Sequence, residues 1–95
     1  MIEQQGYVYI LANRKRGTLY VGVTSALNQR LAQHSDYEGN SFVKRYHLNH
    51  LVYIEEYSSI VDAIMREKQL KNWHRQWKIN LIEQFNPKWK NLLDS

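Results

Sequence analysis

Two short runs, Tyr7 to Ala12 and Thr18 to Thr24, are rich in aromatic and β-branched residues, and only five polar residues ending in a glycine, Asn13 to Gly17, separate them. Such runs read as strands, and a turn this short forces them to pair antiparallel as a hairpin. Alternation then assigns the faces. Tyr7, Tyr9 and Leu11 share one face of the first strand, and Val8, Ile10 and Ala12 share the other. On the second strand Leu19, Val21 and Val23 form an aliphatic face, opposite Tyr20, Gly22 and Thr24. If the aliphatic faces agree, Tyr9 and Tyr20 lie together on the more polar face. Gly22 beside them marks a place where a ligand or another backbone comes close. Two tyrosines so placed also suit a plain cross-strand pair that stabilises the hairpin, the glycine relieving crowding.

The rest of the chain alternates helix and strand signals. Thr24 or Ser25 can cap a helix to about Ser35. Asp36 to Asn40 reads as a loop, Ser41 to Tyr46 as a short helix, and Leu51 to Tyr57 as a third strand. Ser58 or Ser59 caps the longest helix, to about Asn72. Arg75 to Phe85 is a further helix, stopped by Asn86-Pro87. Trp89, Leu92 and Leu93 offer apolar surface to pack back on the body. The order β-β-α-β-α-α predicts an α+β fold, a small three-stranded antiparallel sheet flanked by helices. The 95 residues suit a single domain with one modest core.

Helical spacing singles out the candidate polar residues. Leu27, Arg30, Leu31 and His34 fall within about 100° of arc, so an arginine and a histidine share the stripe that packs on the sheet. An arginine placed inward needs either a carboxylate or a groove in which to meet a phosphate. Ile60, Ile64, Glu67 and Lys71 form one row of the long helix, which puts Glu67 beside the apolar stripe. Spacing alone makes Glu67 a surface partner of Lys71, worth about 0.3–0.5 kcal/mol. The alternative role is a single carboxylate for Mg²⁺, a cation that commonly takes one or two protein carboxylates and keeps several waters. His47 and His50 read as surface residues, since no cysteine supports a zinc site.

Charge distribution suggests a partner. There are 13 basic and 9 acidic residues, for a net charge of +4. Lys44 and Arg45 lie mid-chain, and Lys71, Trp73, Arg75 and Lys78 follow in a later helical stretch with Trp77 among them. Cations interleaved with aromatic rings suit phosphate contact plus base stacking. The absence of cysteine excludes disulfides and thiolate metal sites. No apolar run approaches the roughly 20 residues of a spanning helix. Residues Met1 to Gln5 do not read as a secretory signal, so the expected location is cytoplasmic.

Taken in order, Gly6-Tyr7-Val8-Tyr9-Ile10-Leu11, Tyr20-Val21-Gly22, Arg30, His34 and Glu67 resemble the GIY-YIG nuclease superfamily, and in particular its small stand-alone bacterial members. Ten residues separate Tyr9 from Tyr20, and Arg30 and His34 lie eight and twelve residues past Gly22. The stretch Glu67 to Trp73, with Arg75, Lys78 and Asn86-Pro87-Lys88-Trp89, extends the likeness over nearly the whole chain. The resemblance implies cleavage of DNA, branched or damaged forms among the candidates, dependent on Mg²⁺ or Mn²⁺. Carried onto matching positions, Tyr9 and Tyr20 are the motif tyrosines, Arg30 the phosphate-stabilising arginine, His34 the histidine and Glu67 the metal-binding glutamate. Tyr20 or Tyr9 would draw off the proton of the attacking water, with His34 as an alternative base or relay. Tyr7 replaces the first glycine of the family name. A late asparagine that helps shape the site in several nucleases has two candidates, Asn80 and Asn91. A nucleic-acid-binding module without catalysis, and an adaptor that keeps the fold but binds a protein, are the alternative functions.

Overall fold

The computed structural model describes residues 4–35 and 41–93. Its elements are β1 (Gly6–Ala12), β2 (Leu19–Thr24), α1 (Leu27–Ser35), α2 (Ser41–Tyr46), β3 (His50–Tyr57), α3 (Ile60–Asn72) and α4 (Arg75–Phe85). The three strands form one antiparallel sheet in the order β2-β1-β3. The expected architecture holds, including the short helix α2 before β3.

Hairpin register follows the alternation. Tyr9 lies opposite Gly22, Ile10 opposite Val21 and Leu11 opposite Tyr20. Each face of the sheet therefore carries its own core. Val8, Ile10, Ala12 and Val21 pack with Ala63 and Leu70 of α3 and with Ile79 and Ile82 of α4. Tyr9 and Leu11 pack on the other face with Leu31 of α1, Leu48 and Leu51. Full burial of one large aliphatic side chain contributes about 1.5–3 kcal/mol, so these two layers hold most of the stability of so small a chain.

Helix α3 crosses β1 at close range because Gly6 has no side chain. A Cβ there would lie 2.6 Å from the Cβ of Ala63 and 2.9 Å from the Cα of Ile60. Ser59 occupies the expected cap position, but its hydroxyl makes no capping bond. The backbone N–H of Ile60 instead donates to the carbonyl of Gln4 at 2.8 Å, so the strand's approach ties down the helix start.

Strand β3 carries an irregularity that its sequence does not announce. The pairing with β1 shifts between Ile10 and Leu11, so Ile10 faces Tyr53 while Leu11 faces Leu51. Val52 is the extra residue, a β-bulge. It lets Val52 and Tyr53, neighbours in sequence, both join the α3/α4 core. Asn86, buried just past α4, donates to the Val52 carbonyl at 3.2 Å and to the Lys90 carbonyl at 2.8 Å. The tail then runs alongside β3. The N–H of Leu92 donates to the Leu51 carbonyl at 2.7 Å, and the N–H of Leu51 donates to Asn91 Oδ1 at 3.0 Å. Of the three apolar tail residues expected to pack back, Trp89 is buried, whereas Leu92 and Leu93 remain exposed. The backbone bonds, not the leucine side chains, fasten the end of the tail.

Candidate active site

The candidate site begins with Tyr9, which is only 1% exposed. Its ring lies across Gly22, where an added Cβ would collide with Cζ, Oη and Cε1 of the tyrosine. Glycine at this position is what allows a buried tyrosine to reach over β2. Tyr20 packs beside it, with ring centroids 6.3 Å apart and planes tilted by 46°. Burial pushes the Tyr9 phenol well above its ordinary value, and the neighbouring Tyr20 adds to the rise. The positive charge of Arg30 works in the opposite direction, while a hydrogen bond with Tyr20 and the negative charge of Glu67 raise it further. Tyr9 is therefore a neutral phenol throughout the physiological range.

Those influences locate the other candidates. Arg30 on α1 and Glu67 on α3 both act on the hydroxyl of Tyr9, although α3 packs on the opposite face of the sheet. Strand β2 is an edge strand. Leu27 and Leu31 pack inward as the spacing predicts, but Arg30 is exposed and not buried with them. Among the described residues no carboxylate pairs with it; the ion pairs there are Arg16–Glu83, Arg66–Glu55 and Lys71–Glu67. The start of α1 is set by Thr24, whose hydroxyl accepts the N–H of Ala26 at 3.0 Å.

Glu67 departs from its expected position. The sequence row through Ile64 places it beside the apolar stripe, yet Ile64 is 38% exposed and the buried residues of α3 are Ala63 and Leu70. Glu67 lies between these two on the inward row, with a side chain 13% exposed. The small side chain of Ala63, pressed against Gly6, rotates the helix so that Glu67 turns toward the sheet. Glu67 also makes the expected pair with Lys71, at 2.9 Å between Oε2 and Nζ. The side chain of His34 lies outside the described residues.

The remaining cations divide into free and engaged groups. Lys44 and Arg45 are exposed at the end of α2, with the Arg45 guanidinium 5.6 Å from the centre of the Tyr46 ring. Arg75 is occupied as a clasp. Its Nη2 donates to the carbonyls of Arg16 and Gly17 at 2.5 and 2.6 Å, pinning the β1–β2 turn to α4. Partial burial lowers Lys78 below the usual lysine range, and Arg75 nearby lowers it further. Trp73 packs half-buried on the core beneath the guanidinium of Arg66, 5.0 Å from its ring centre. The exposed aromatic of this region is Trp77, which walls an open cleft with Trp73, Asn80, Leu81 and Gln84. Both asparagine candidates are hydrogen-bonded. Asn80 accepts from Gln76, and Asn91 ties the tail to Leu51.

A second polar cluster, unforeseen from sequence, lies on the α3/α4 face. The Glu55 carboxylate accepts from Tyr53, from Tyr57 at 2.7 Å and from Arg66 at 3.0 Å. Burial pushes Glu55 up, but the hydrogen bonds from Arg66, Tyr53 and Tyr57 outweigh it and hold the carboxyl below its ordinary range.

Metal-binding capacity rests on oxygen donors. The chain has no cysteine, and no cluster of three or more histidine, aspartate or glutamate side chains occurs among the described residues. One carboxylate near phenolic hydroxyls fits a hard cation that retains water, and does not fit a zinc cage. No helix among the described residues is long and apolar enough to cross a membrane.

Comparison with known proteins shows the family of the chain. A UPF0213 protein of Staphylococcus haemolyticus is 37% identical over 78 residues, covering 82% of this chain and 94% of that protein. A UPF0213 protein of Staphylococcus aureus strain Mu3 is 35% identical over the same coverage. No solved structure matches. The family model described as the GIY-YIG catalytic domain matches residues 5–80, which span the hairpin, α1, β3, α3 and the first half of α4; the chain belongs to the GIY-YIG family.

Proposed function

We propose that this protein is a divalent-metal-dependent endonuclease that hydrolyses phosphodiester bonds in DNA, choosing its target by nucleic-acid structure more than by base sequence. The observation that carries this reading is the buried Tyr9 hydroxyl lying over Gly22 beside Tyr20, within electrostatic range of Arg30 from α1 and Glu67 from α3. Arg30, exposed and without a carboxylate partner among the described residues, is suited to bind the scissile phosphate and to offset charge that builds there in the transition state. Tyr9 is held neutral by burial and shares a hydrogen bond with Tyr20. Tyr9 thus fixes the oxygen of Tyr20, and Tyr20, which is partly exposed, first passes its own proton to His34 and then, as the phenolate, takes the proton of the attacking water. Glu67 would hold Mg²⁺ or Mn²⁺, which when bound supplies Lewis-acid stabilisation of the phosphate and the leaving oxygen. His34 retains its proposed part as a second proton carrier. Lys44, Arg45, Lys71, Trp73 and Lys78 would contact the DNA backbone and bases, with Trp77 as an added stacking surface. The clasped Arg75 would act through the position of the hairpin turn.

One observation favours a second reading, a DNA-binding module without turnover. The two candidates for the late asparagine that several relatives in the superfamily use, Asn80 and Asn91, are hydrogen-bonded to Gln76 and to Leu51. A single panel separates the two readings. Labelled flaps, forks, junctions, single strands and RNA are incubated with Mg²⁺ or Mn²⁺, with chelator controls. Metal-dependent cutting of one or more DNA structures, reduced about 10²–10³-fold in Glu67→Gln, is the expected result. Salt-sensitive binding with no cutting of any substrate would leave the binding module as the function.

A further inference from the structure

Glu67 turns a charge inward and is balanced by one neighbour from its own helix. Its carboxylate is 13% exposed and lies on the row of Ala63 and Leu70. A carboxylate in such a place needs a counter-charge, or its desolvation is uncompensated. Lys71, one helical turn further on, supplies it at 2.9 Å. The lysine side chain itself is 51% exposed, on a flexible stem that costs little to move. An ammonium bonded to Oε2 takes up a lone pair that a cation ligand would need, and its charge repels a divalent ion at the same carboxylate.

We infer that Lys71 is the resident counter-ion of Glu67, exchanged for the divalent cation when the site loads and thereby released to bind a DNA phosphate. The inference rests on the reading of Glu67 as the metal carboxylate. It makes the Lys71–Glu67 pair a device that couples two ligands. Metal frees the lysine for the polyanion, and the polyanion draws the lysine away from the carboxylate, so each ligand strengthens the other by the same factor.

Manganese binding to the full chain, followed by electron paramagnetic resonance of the free ion in the absence of nucleic acid, tests it. Lys71→Gln should bind Mn²⁺ about two- to tenfold more tightly than wild type, the range between a surface ion pair and one with a half-buried partner. Lys71→Arg, which keeps a cation beside the carboxylate, should stay near wild type. A short non-cleavable duplex should tighten Mn²⁺ in wild type by more than in Lys71→Gln. Unchanged or weaker Mn²⁺ binding in Lys71→Gln overturns the counter-ion role, and equal tightening by the duplex overturns the coupling. Glu67→Gln tells this failure from that of the underlying reading: if it binds Mn²⁺ as wild type does, the ion sits elsewhere and both fall.

Discussion

The molecule holds two clusters of the same composition, each with two tyrosines, one arginine and one glutamate, and they behave differently. In Tyr53, Glu55, Tyr57 and Arg66 every charge is answered within the group. The carboxylate accepts from both phenols and from the guanidinium, and Arg66 lies over Trp73 as well. In Tyr9, Tyr20, Arg30 and Glu67 the charges do not cancel one another. Glu67 is balanced by Lys71 from outside the group, and Arg30 reaches toward solvent. A set whose charges are internally matched has nothing left to offer a ligand and serves stability. A set whose opposite charges are held apart around a polar oxygen offers an anion site and a cation site side by side. Residue types alone do not distinguish the two; the partition of charge does.

The largest contrast should come from the arginines. Arg30→Ala should lower cleavage about 10²–10³-fold while shifting stability by less than about 0.5 kcal/mol, as expected for a transition-state contact at an exposed position. Arg66→Met should do the reverse, costing about 1–3 kcal/mol by leaving Glu55 without its cation, with cleavage per folded molecule unchanged. Urea melts and initial rates on the same preparations read both quantities. If Arg66→Met abolishes cleavage in fully folded protein, the assignment of the two clusters is reversed.

The tyrosines give a smaller contrast. Tyr20→Phe should slow cleavage about 10–10²-fold, since a proton acceptor is lost at a partly exposed position, and should cost about 1 kcal/mol through the hydrogen bond it shares with buried Tyr9. Tyr53→Phe removes a bond to Glu55 while keeping the edge contact with Phe85, 5.3 Å between ring centres, and should cost about 1 kcal/mol with no effect on turnover. Equal effects of the two substitutions on turnover would erase the distinction.

The exposed pair Arg16–Glu83 calibrates the bottom of this scale. Hydrogen bonds from Arg16 and from the Trp89 indole hold the Glu83 carboxyl down at about 2, against an ordinary value of 4.5. A carboxyl depressed on folding adds stability above the ordinary value and loses it as pH falls toward the depressed one. Wild type should therefore weaken between about pH 4.5 and pH 2, and Glu83→Gln, which removes that titration, should show a flatter acid limb in pH-dependent melts.

Much of this was legible in the sequence because the signals were local. Strand alternation fixes the faces of Tyr9 and Tyr20 before any partner is known, and Asn86-Pro87 stops α4 where it does stop. The features that escaped depend on tertiary approach. Glu67 turns inward because Ala63 meets Gly6, and a small residue contributes little to a hydrophobic stripe read by eye. Arg75 looks like a free cation until the hairpin turn folds under it. Glu55 and Arg66, eleven residues apart on different elements, meet only when α3 lies on β3. The bulge at Val52 needs the register of β1 to exist at all.

The tail beside β3 has a consequence for how the edge of the sheet is covered. Residues 91 and 92 answer the N–H and carbonyl of Leu51, which would otherwise stand as an open template for strand addition by another molecule. They lie past residue 80, where the family match ends, so the catalytic-domain segment and the cover of its sheet edge are separate parts of the chain. A fragment trimmed to the matched segment would keep the tyrosine hairpin while baring that template, and would be sticky for reasons unrelated to catalysis.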